Sequence, residues 1–401
     1  MTVELPTLTE YETVRVRLTD HQARRLAATG VVDVAPADET GWWAVTARER
    51  VGSLVVDDVR LLVRPKIRPD NLFLLLEVGL PEQAWRHHVY EYATSADLLP
   101  SIISFFARTV ETTLARGVLR GYRPHSEDLL ALRGRIDLAT QFRRAGIAVP
   151  VACRFDDFTA DIAENRYLRA AVRRALRVPQ VPAEDRRRLM QHLVSLDEVA
   201  DVAVHPDDLD RITITRLNGH YEPALRLARL LLANLTLVDR RGGTTASSFV
   251  VDMNELFERF VTQRLRRALR GRLEVRSQPP VHLGHGRQVL MKPDIELRRR
   301  GRTVYVADVK YKLTADARAR NADLYQLLAY TTALDLPEGV LIYCLADGGR
   351  PEREVTVRHA GKVLRTRAID LTGPPQSVEA EIQALADWLV ERSRVSPASA
   401  P

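Results

Sequence analysis

The stretch from Thr303 to Leu313 constrains the fold of this chain more than any other. Read as a strand, it places Val304, Val306, Asp308, Lys310 and Lys312 on one face and Tyr305, Ala307, Val309 and Tyr311 on the other. Both faces are apolar before the charges begin, so the strand is expected inside a sheet that helices cover on both sides. Its surroundings agree. A helix is predicted over Val250 to Leu269, then a hairpin of Leu290 to Leu297 with Thr303 to Leu313, then a helix over Ala317 to Leu334. A very apolar strand follows at Val340 to Leu345, more strand at Glu354 to Ile369, and a last helix at Ser377 to Arg392. That order predicts an α/β domain over 249–401 with a central mixed sheet flanked by helices.

The charges at the end of the strand carry the chemistry. An acid and a lysine at i and i+2 on a covered strand are costly to bury without partners. The hairpin supplies one: its turn at Arg299 to Arg302 folds Asp294, of Pro293-Asp294-Ile295, back toward Asp308. Converging carboxylates repel unless a divalent cation sits between them, and hard oxygen ligands suit Mg²⁺, with Mn²⁺ as a substitute. Pro-Asp followed by Asp-x-Lys across a hairpin matches a metal-dependent nuclease centre of the PD-(D/E)xK type. Asp294, Asp308 and the carbonyl of Val309 are the expected metal ligands. Lys310 is expected to orient or deprotonate the attacking water, or to stabilise the transition state as a cation.

The flanking helices add candidates. On the first, Met253, Phe257, Phe260, Val261 and Leu265 form the apolar face, with Glu258 at its edge and Glu255 further toward solvent. Glu258 is the better third carboxylate; a solvated helix residue is the competing reading. On the second, Leu324, Leu327 and Leu328 are expected to face the core and Asp323, Gln326 and Tyr330 the opposite side. Gln326 and Tyr330 are spaced to reach one ligand. Lys312, Lys292, Arg298 and Arg302 are candidate phosphate contacts; the runs Arg264 to Arg272 and Arg298 to Arg302 read equally as phosphate grips or as a solvated helix face and turn. His282 and His285 flank a glycine without a third ligand nearby, and read as loop residues.

The rest of the chain divides in two. Residues 1 to 95 read as a small β-rich α+β module: strands at Val14 to Leu18, Trp43 to Ala47, Ser53 to Val56 and Val59 to Val63, helices at Thr19 to Gly30 and Asp70 to Val78. Residues 96 to 248 read as mainly helical, over Leu98 to Gly117, Ile162 to Leu176, Asp185 to Leu196 and Pro223 to Val238. A strand pair, Leu129 to Leu138 and Val149 to Phe155, interrupts them, and Arg240 to Ser248 reads as a linker.

Composition excludes more than it selects. With 401 residues the chain exceeds one ordinary core, and 45% hydrophobic with 28% charged residues is a globular balance. The net charge of +7 and pI near 9.6 favour a polyanion partner. Nearly all the cations are Arg; the only lysines are Lys66, Lys292, Lys310, Lys312 and Lys362, and three of those lie between Met291 and Leu313. Lysine kept where arginine is the habit marks a place to look for chemistry. The N-terminus lacks a basic-then-apolar signal pattern, and Leu225 to Val238 is broken by Arg226, Arg229, Asn234 and Thr236, so no membrane span is expected. Cys153 and Cys344 in apolar stretches read as buried reduced thiols, and a cytoplasmic location is expected. Gly361-Lys362 lacks the rest of a Walker A loop, so no nucleotide motor is read in the chain.

On these residues the chain resembles the McrC family, the nuclease subunits of McrBC restriction systems specific for modified cytosine (5-methylcytosine). The likeness runs through Met253 to Val261 (MNELFERFV), Lys292 to Ile295, Asp308 to Lys312 and Asp323 to Tyr330 (DLYQLLAY). It continues through Leu132 to Asp137 (LRGRID) and Cys153 to Leu168 (CRFDDFTADIAENRYL), which have no catalytic explanation. Asp308 stands where many such nucleases have Glu, and either carboxylate can hold a metal. The resemblance implies cleavage of double-stranded DNA in restriction or phage defence, with a GTP-driven McrB-like AAA+ ring that reads the methylated base. GTP would enter only through that partner, and the N-terminal and middle regions would dock into the ring. A free-standing repair or processing nuclease, a regulatory subunit with a decayed centre, and an RNA nuclease are the competing readings.

Overall fold

The structure is a computed structural model that describes residues 3–76, 98–144, 146, 149–179, 181–239, 245–312, 321–345 and 353–395. It is a mixed α/β, multidomain chain with several sheets, and it divides into two compact units: Met1–Leu98 with Phe249–Pro401, and Leu99–Ser248.

In the first unit the N-terminal stretch and the C-terminal third fold together. Thr13–Arg17, Trp42–Ala47 and Val32–Pro36 form a three-stranded antiparallel sheet. Asp20–Ala27 is a helix because Thr19 and Gln22 close a capping box and Ala23 and Leu26 are buried beneath it. A second sheet runs Val3–Glu4, Val59–Arg64, Arg50–Val56, and then accepts Phe249–Asp252 from far along the chain. Gly52 permits that pairing: it sits at φ +127, and a Cβ there would lie 2.0 Å from the Phe249 carbonyl oxygen. Val250 to Asp252 are therefore strand, and the helix expected from Val250 begins at Met253, where Asp252 accepts from the Asn254 and Glu255 amides. Tertiary pairing outweighs the helical spacing there.

The sheet that carries the acids has six strands, in the order Glu274–Ser277, Ile295–Arg299, Arg302–Lys310, Glu338–Leu345, Val363–Asp370, Arg353–Thr356. Arg302–Lys310 is interior, antiparallel to one neighbour and parallel to the other. On one face Val306 packs with Leu341, Tyr343, Leu345 and Leu364 against Leu327, Tyr330 and Leu336. On the other, Tyr305 meets Trp388 edge-on with centroids 6.0 Å apart, and Tyr311 meets Phe257 at 5.9 Å. Full burial of each such side chain contributes about 1.5–3 kcal/mol, which fixes the strand between two helical layers. The expected first hairpin arm is two elements. Gln288–Met291 pairs with Val281–Gly284 in a separate ribbon, so His282 lies on a strand rather than in a loop. Ile295–Arg299 alone pairs with the central strand.

Among its described residues the second unit is mainly helical, with a three-stranded sheet. Ala163–Leu176 buries Leu168, Ala171, Val172 and Ala175, and Glu222–Asn234 packs against it. Gly121–Leu129 pairs along its length with Val151–Thr159, and Arg135–Ile136 joins the other side of that strand. Of the strand expected over Leu129 to Leu138 only Arg135–Ile136 forms, paired with Val151–Thr159 as expected, while the longer strand Gly121–Leu129 ends where that one should begin. GYRPHSEDL has no apolar alternation because it is largely exposed, and so hides from periodicity. The two unexplained motifs meet in this sheet. Gly134 (φ +72) lies where a Cβ would come within 2.4 Å of the Arg154 carbonyl, and Asp137 caps Leu138–Phe142 while pairing with Arg154. Asp161 receives Arg123, Arg166 and the Ala200 amide, and Asn165 donates to the Leu119 and Ala160 carbonyls. They fasten the sheet's base to the helices.

Cys153 and Cys344 are buried and free. Among the described residues no helix is long and apolar enough to cross a membrane.

Candidate active site

Ile295 is paired with Ala307, so the next residue back, Asp294, comes opposite Asp308 on the same face. The ribbon ends at Met291 and the strand starts at Ile295, which leaves Asp294 at the bend between them. Its Oδ2 accepts from the Val309 backbone N–H at 2.7 Å. Asp308 is wholly buried, and neither of its oxygens has a hydrogen-bond partner among the described residues. The Lys310 ammonium lies 2.6 Å from its Oδ2, a charge contact without hydrogen-bond alignment. Glu258 reaches this cluster from the helix Met253–Ala268, half-buried where Glu255 is exposed, and accepts from the Gln278 side-chain amide at 2.8 Å.

The electrostatics follow from crowding acids in a covered place. Burial, then the charges of Asp308 and Glu258, push the Asp294 carboxyl up to about 8, against the Val309 N–H and Lys310. Burial raises Glu258 as well, with the Gln278 hydrogen bond opposing. Burial works against the charged form of Lys310, but Asp308 chiefly, with Asp294 and Asp323, holds its pKa above the usual lysine value. Three carboxyls thus crowd one ammonium, and two of them, Asp294 and Glu258, are driven toward their protonated forms.

The other candidates divide. Asp323, Leu327 and Tyr330 all turn to the buried face of the helix Asn321–Ala333, because positions i, i+4 and i+7 share a side; the expected split between leucine and polar faces is corrected accordingly. Tyr330 donates to the Lys292 carbonyl at 3.2 Å and accepts from Gln326 Nε2 at 2.6 Å. The pair thus braces the segment that carries Asp294. Lys312 forms an internal ion pair with Asp323, which also accepts from Tyr343 at 2.9 Å. Lys292 is exposed beside Pro293. Arg298 donates to the Gly301 carbonyl, and it and Arg302 lie at the hairpin turn. Six residues of strand, about 20 Å, separate that turn from Asp308.

Spacing missed Gln278, which sits before Pro279-Pro280 at a strand end, and Glu10. Glu10 is fully buried and accepts from Tyr311 Oη at 3.0 Å and the Lys66 N–H at 2.9 Å. Burial raises its pKa to about 7. Among the described residues no ready-made cluster of three or more His, Cys, Asp or Glu side chains is formed. The fit to a cation rests instead on buried Asp308, whose oxygens make no hydrogen bond among these residues, with Asp294 and Glu258 beside it and Lys310 as the one ammonium.

A family model described as "McrBC 5-methylcytosine restriction system component" matches residues 45–344. The chain belongs to the McrBC family. The match spans the second unit and reaches past Asp294, Asp308 and Lys310 to Cys344. Among solved structures, a chain of the half-complex from the tetradecameric assembly of Thermococcus gammatolerans McrB AAA+ hexamers with bound McrC is similar. The TM-score is 0.56 at 21% identity, covering 96% of this chain and 100% of that one. A chain of the Thermococcus gammatolerans McrBC complex is 23% identical over 67% of this chain and 88% of its own, with a TM-score of 0.43. No curated protein matches the chain.

Proposed function

We propose that this McrBC-family chain is a metal-dependent DNA endonuclease of the PD-(D/E)xK type, acting in restriction beside a GTP-driven AAA+ partner. The observation that carries the reading is Asp308: a fully buried carboxyl with no aligned hydrogen bond among the described residues, its Oδ2 met by Lys310, with two further acids beside it. One ammonium set against three crowded carboxyls leaves the cluster short of positive charge, and a bound cation would complete it. Asp308, Asp294 and Glu258, with the Val309 carbonyl, are the groups that would hold Mg²⁺ or Mn²⁺. When bound, such an ion supplies Lewis-acid stabilisation of the scissile phosphate and acidifies water.

The chain's own residues do the rest. Asp294, anchored by the Val309 N–H, holds its carboxylate beside Asp308. Lys310, kept as a cation by Asp308, steers the attacking water or offsets charge on the phosphoryl oxygens. Tyr330 and Gln326 fix the bend that presents Asp294. Exposed Lys292 grips backbone phosphate, whereas Lys312 and Arg298 are engaged within the fold and exposed Arg302 lies at the distant hairpin turn.

A McrB-like AAA+ GTPase is the proposed partner, and GTP enters only through it. Two observations support it: the family match and the likeness to an assembly of McrB hexamers with bound McrC. The sheet of the second unit exposes Tyr122 (75%) and Phe158 (54%), with Leu132 (60%) on the connection between its strands and Phe142 (80%) on the adjoining helix, and these suit a protein contact. The test is co-purification with an AAA+ GTPase, then cleavage of methylated and plain DNA with Mg²⁺ and GTP. Asp308→Ala should keep the ring and its GTP turnover and lose cleavage. Retained cleavage would remove the reading.

A further inference from the structure

Gln278 stands where the strand Glu274–Ser277 ends, one residue beyond the pair Ser277–Ile295. Pro279 and Pro280 follow, and neither has an N–H to continue the ladder. The backbone of Gln278 turns to φ +46, a conformation that glycine adopts freely and glutamine seldom does. Its N–H donates to the Asp294 carbonyl at 3.1 Å, and its Nε2 donates to Glu258 Oε1 at 2.8 Å. One residue thus ties the helix that carries Glu258 to the bend that carries Asp294.

The main-chain bond needs no side chain, and glycine would make the turn with less strain. The carboxamide is what glycine could not provide, and its bond goes to Glu258. A neutral donor suits this place. A lysine or arginine would neutralise Glu258 and compete with a bound cation, whereas an amide fixes one oxygen and leaves the charge. Strained backbone beside a cluster of acids is also where positioning groups tend to lie.

We propose that Gln278 is a positioning residue that holds Glu258 in the cation-binding set and so sets the affinity for the divalent ion. The inference rests on the reading of Asp308, Asp294 and Glu258 as that set.

The test uses the full chain with Mn²⁺ as the probe, its binding followed by electron paramagnetic resonance. Gln278→Gly keeps the turn and the main-chain bond and removes the side chain with its carboxamide. It should weaken Mn²⁺ binding about tenfold, the usual scale for groups that orient a ligand. Cleavage with the AAA+ partner should need about tenfold more Mn²⁺, with the rate at saturation within about twofold of wild type. Gln278→Asn, which tolerates the turn but is too short to reach Glu258, should behave alike and serves if the glycine variant folds poorly. Adding either change to Glu258→Gln should cost nothing more. Wild-type Mn²⁺ affinity in both Gln278 variants, with Asp308→Asn binding lost, overturns the role of Gln278 and leaves the site standing. Wild-type affinity in Asp308→Asn overturns the site itself, and this inference with it.

Discussion

Two neighbouring strands of the same sheet each bury an acid, and the protein treats them in opposite ways. Glu338, 5% exposed, accepts from Arg365 Nε at 3.0 Å and Arg392 Nε at 2.7 Å. Burial alone would raise its pKa, but the two guanidinium groups hold it below the ordinary glutamate value. Asp308, 0% exposed, has no aligned hydrogen bond among the described residues, and its one ammonium, Lys310, is set against two further acids. This sheet can therefore satisfy a buried carboxylate where the fold needs one. The acid left without hydrogen bonds, with one cation shared among three carboxyls, supports a role outside the fold's own stability, as a ligand to something that binds.

The sharpest way to break the contrast is to remove each acid. Asp308→Ala should lower DNA cleavage by more than about a thousandfold, the scale lost with charge-stabilising groups, with a melting temperature at or above wild type. Glu338→Ala should do the reverse. It strands two cations and should cost about 3 kcal/mol in denaturant unfolding, with cleavage per folded molecule near wild type. Equal destabilisation by the two changes would erase the distinction.

Glu10 is the intermediate case: Oε2 is hydrogen-bonded and Oε1 is buried without a partner. Its carboxyl titrates near 7 in the fold against an ordinary 4.5, so between these values the folded state holds the extra proton. Stability should therefore be highest below the lower value, fall as pH rises through this window by about 3 kcal/mol, and level off above 7. Glu10→Gln should flatten that part of the profile in melts between pH 5 and 8; an unchanged slope would mean that other groups carry it. The smallest expected effect is on ligand linkage. Mg²⁺ at ten times its dissociation constant should stabilise wild type by about 1.4 kcal/mol and Asp308→Ala not at all.

The acids were legible in the sequence because the physics that places them is local. Alternation put Asp308 and Lys310 on one face, and a hairpin turn put Asp294 opposite. The contacts around them were not. Gln278 meets Glu258 across 20 residues, and Lys312 meets Asp323 through a helix whose buried side only the packing decides. In the second unit, Gly121–Leu129 was invisible because a strand exposed to water carries no hydrophobic period. The junction at Val250 to Asp252 was misread because spacing favours a helix there, while a strand some 200 residues earlier claims it.

That last pairing bears on how the protein is made. When the first 98 residues leave the ribosome, the strand Arg50–Val56 still lacks its neighbour Phe249–Asp252, and the Asn71 amide still lacks the carbonyls of Leu371 and Gly373. At about 10 residues per second, roughly 15 seconds of synthesis separate that open sheet edge from its partner. Through that interval the N-terminal segment is an unfinished surface in need of shelter. The intervening 150 or so residues can close their own core meanwhile. Nascent chains halted before residue 249 should therefore be protease-sensitive at their front and resistant in their middle.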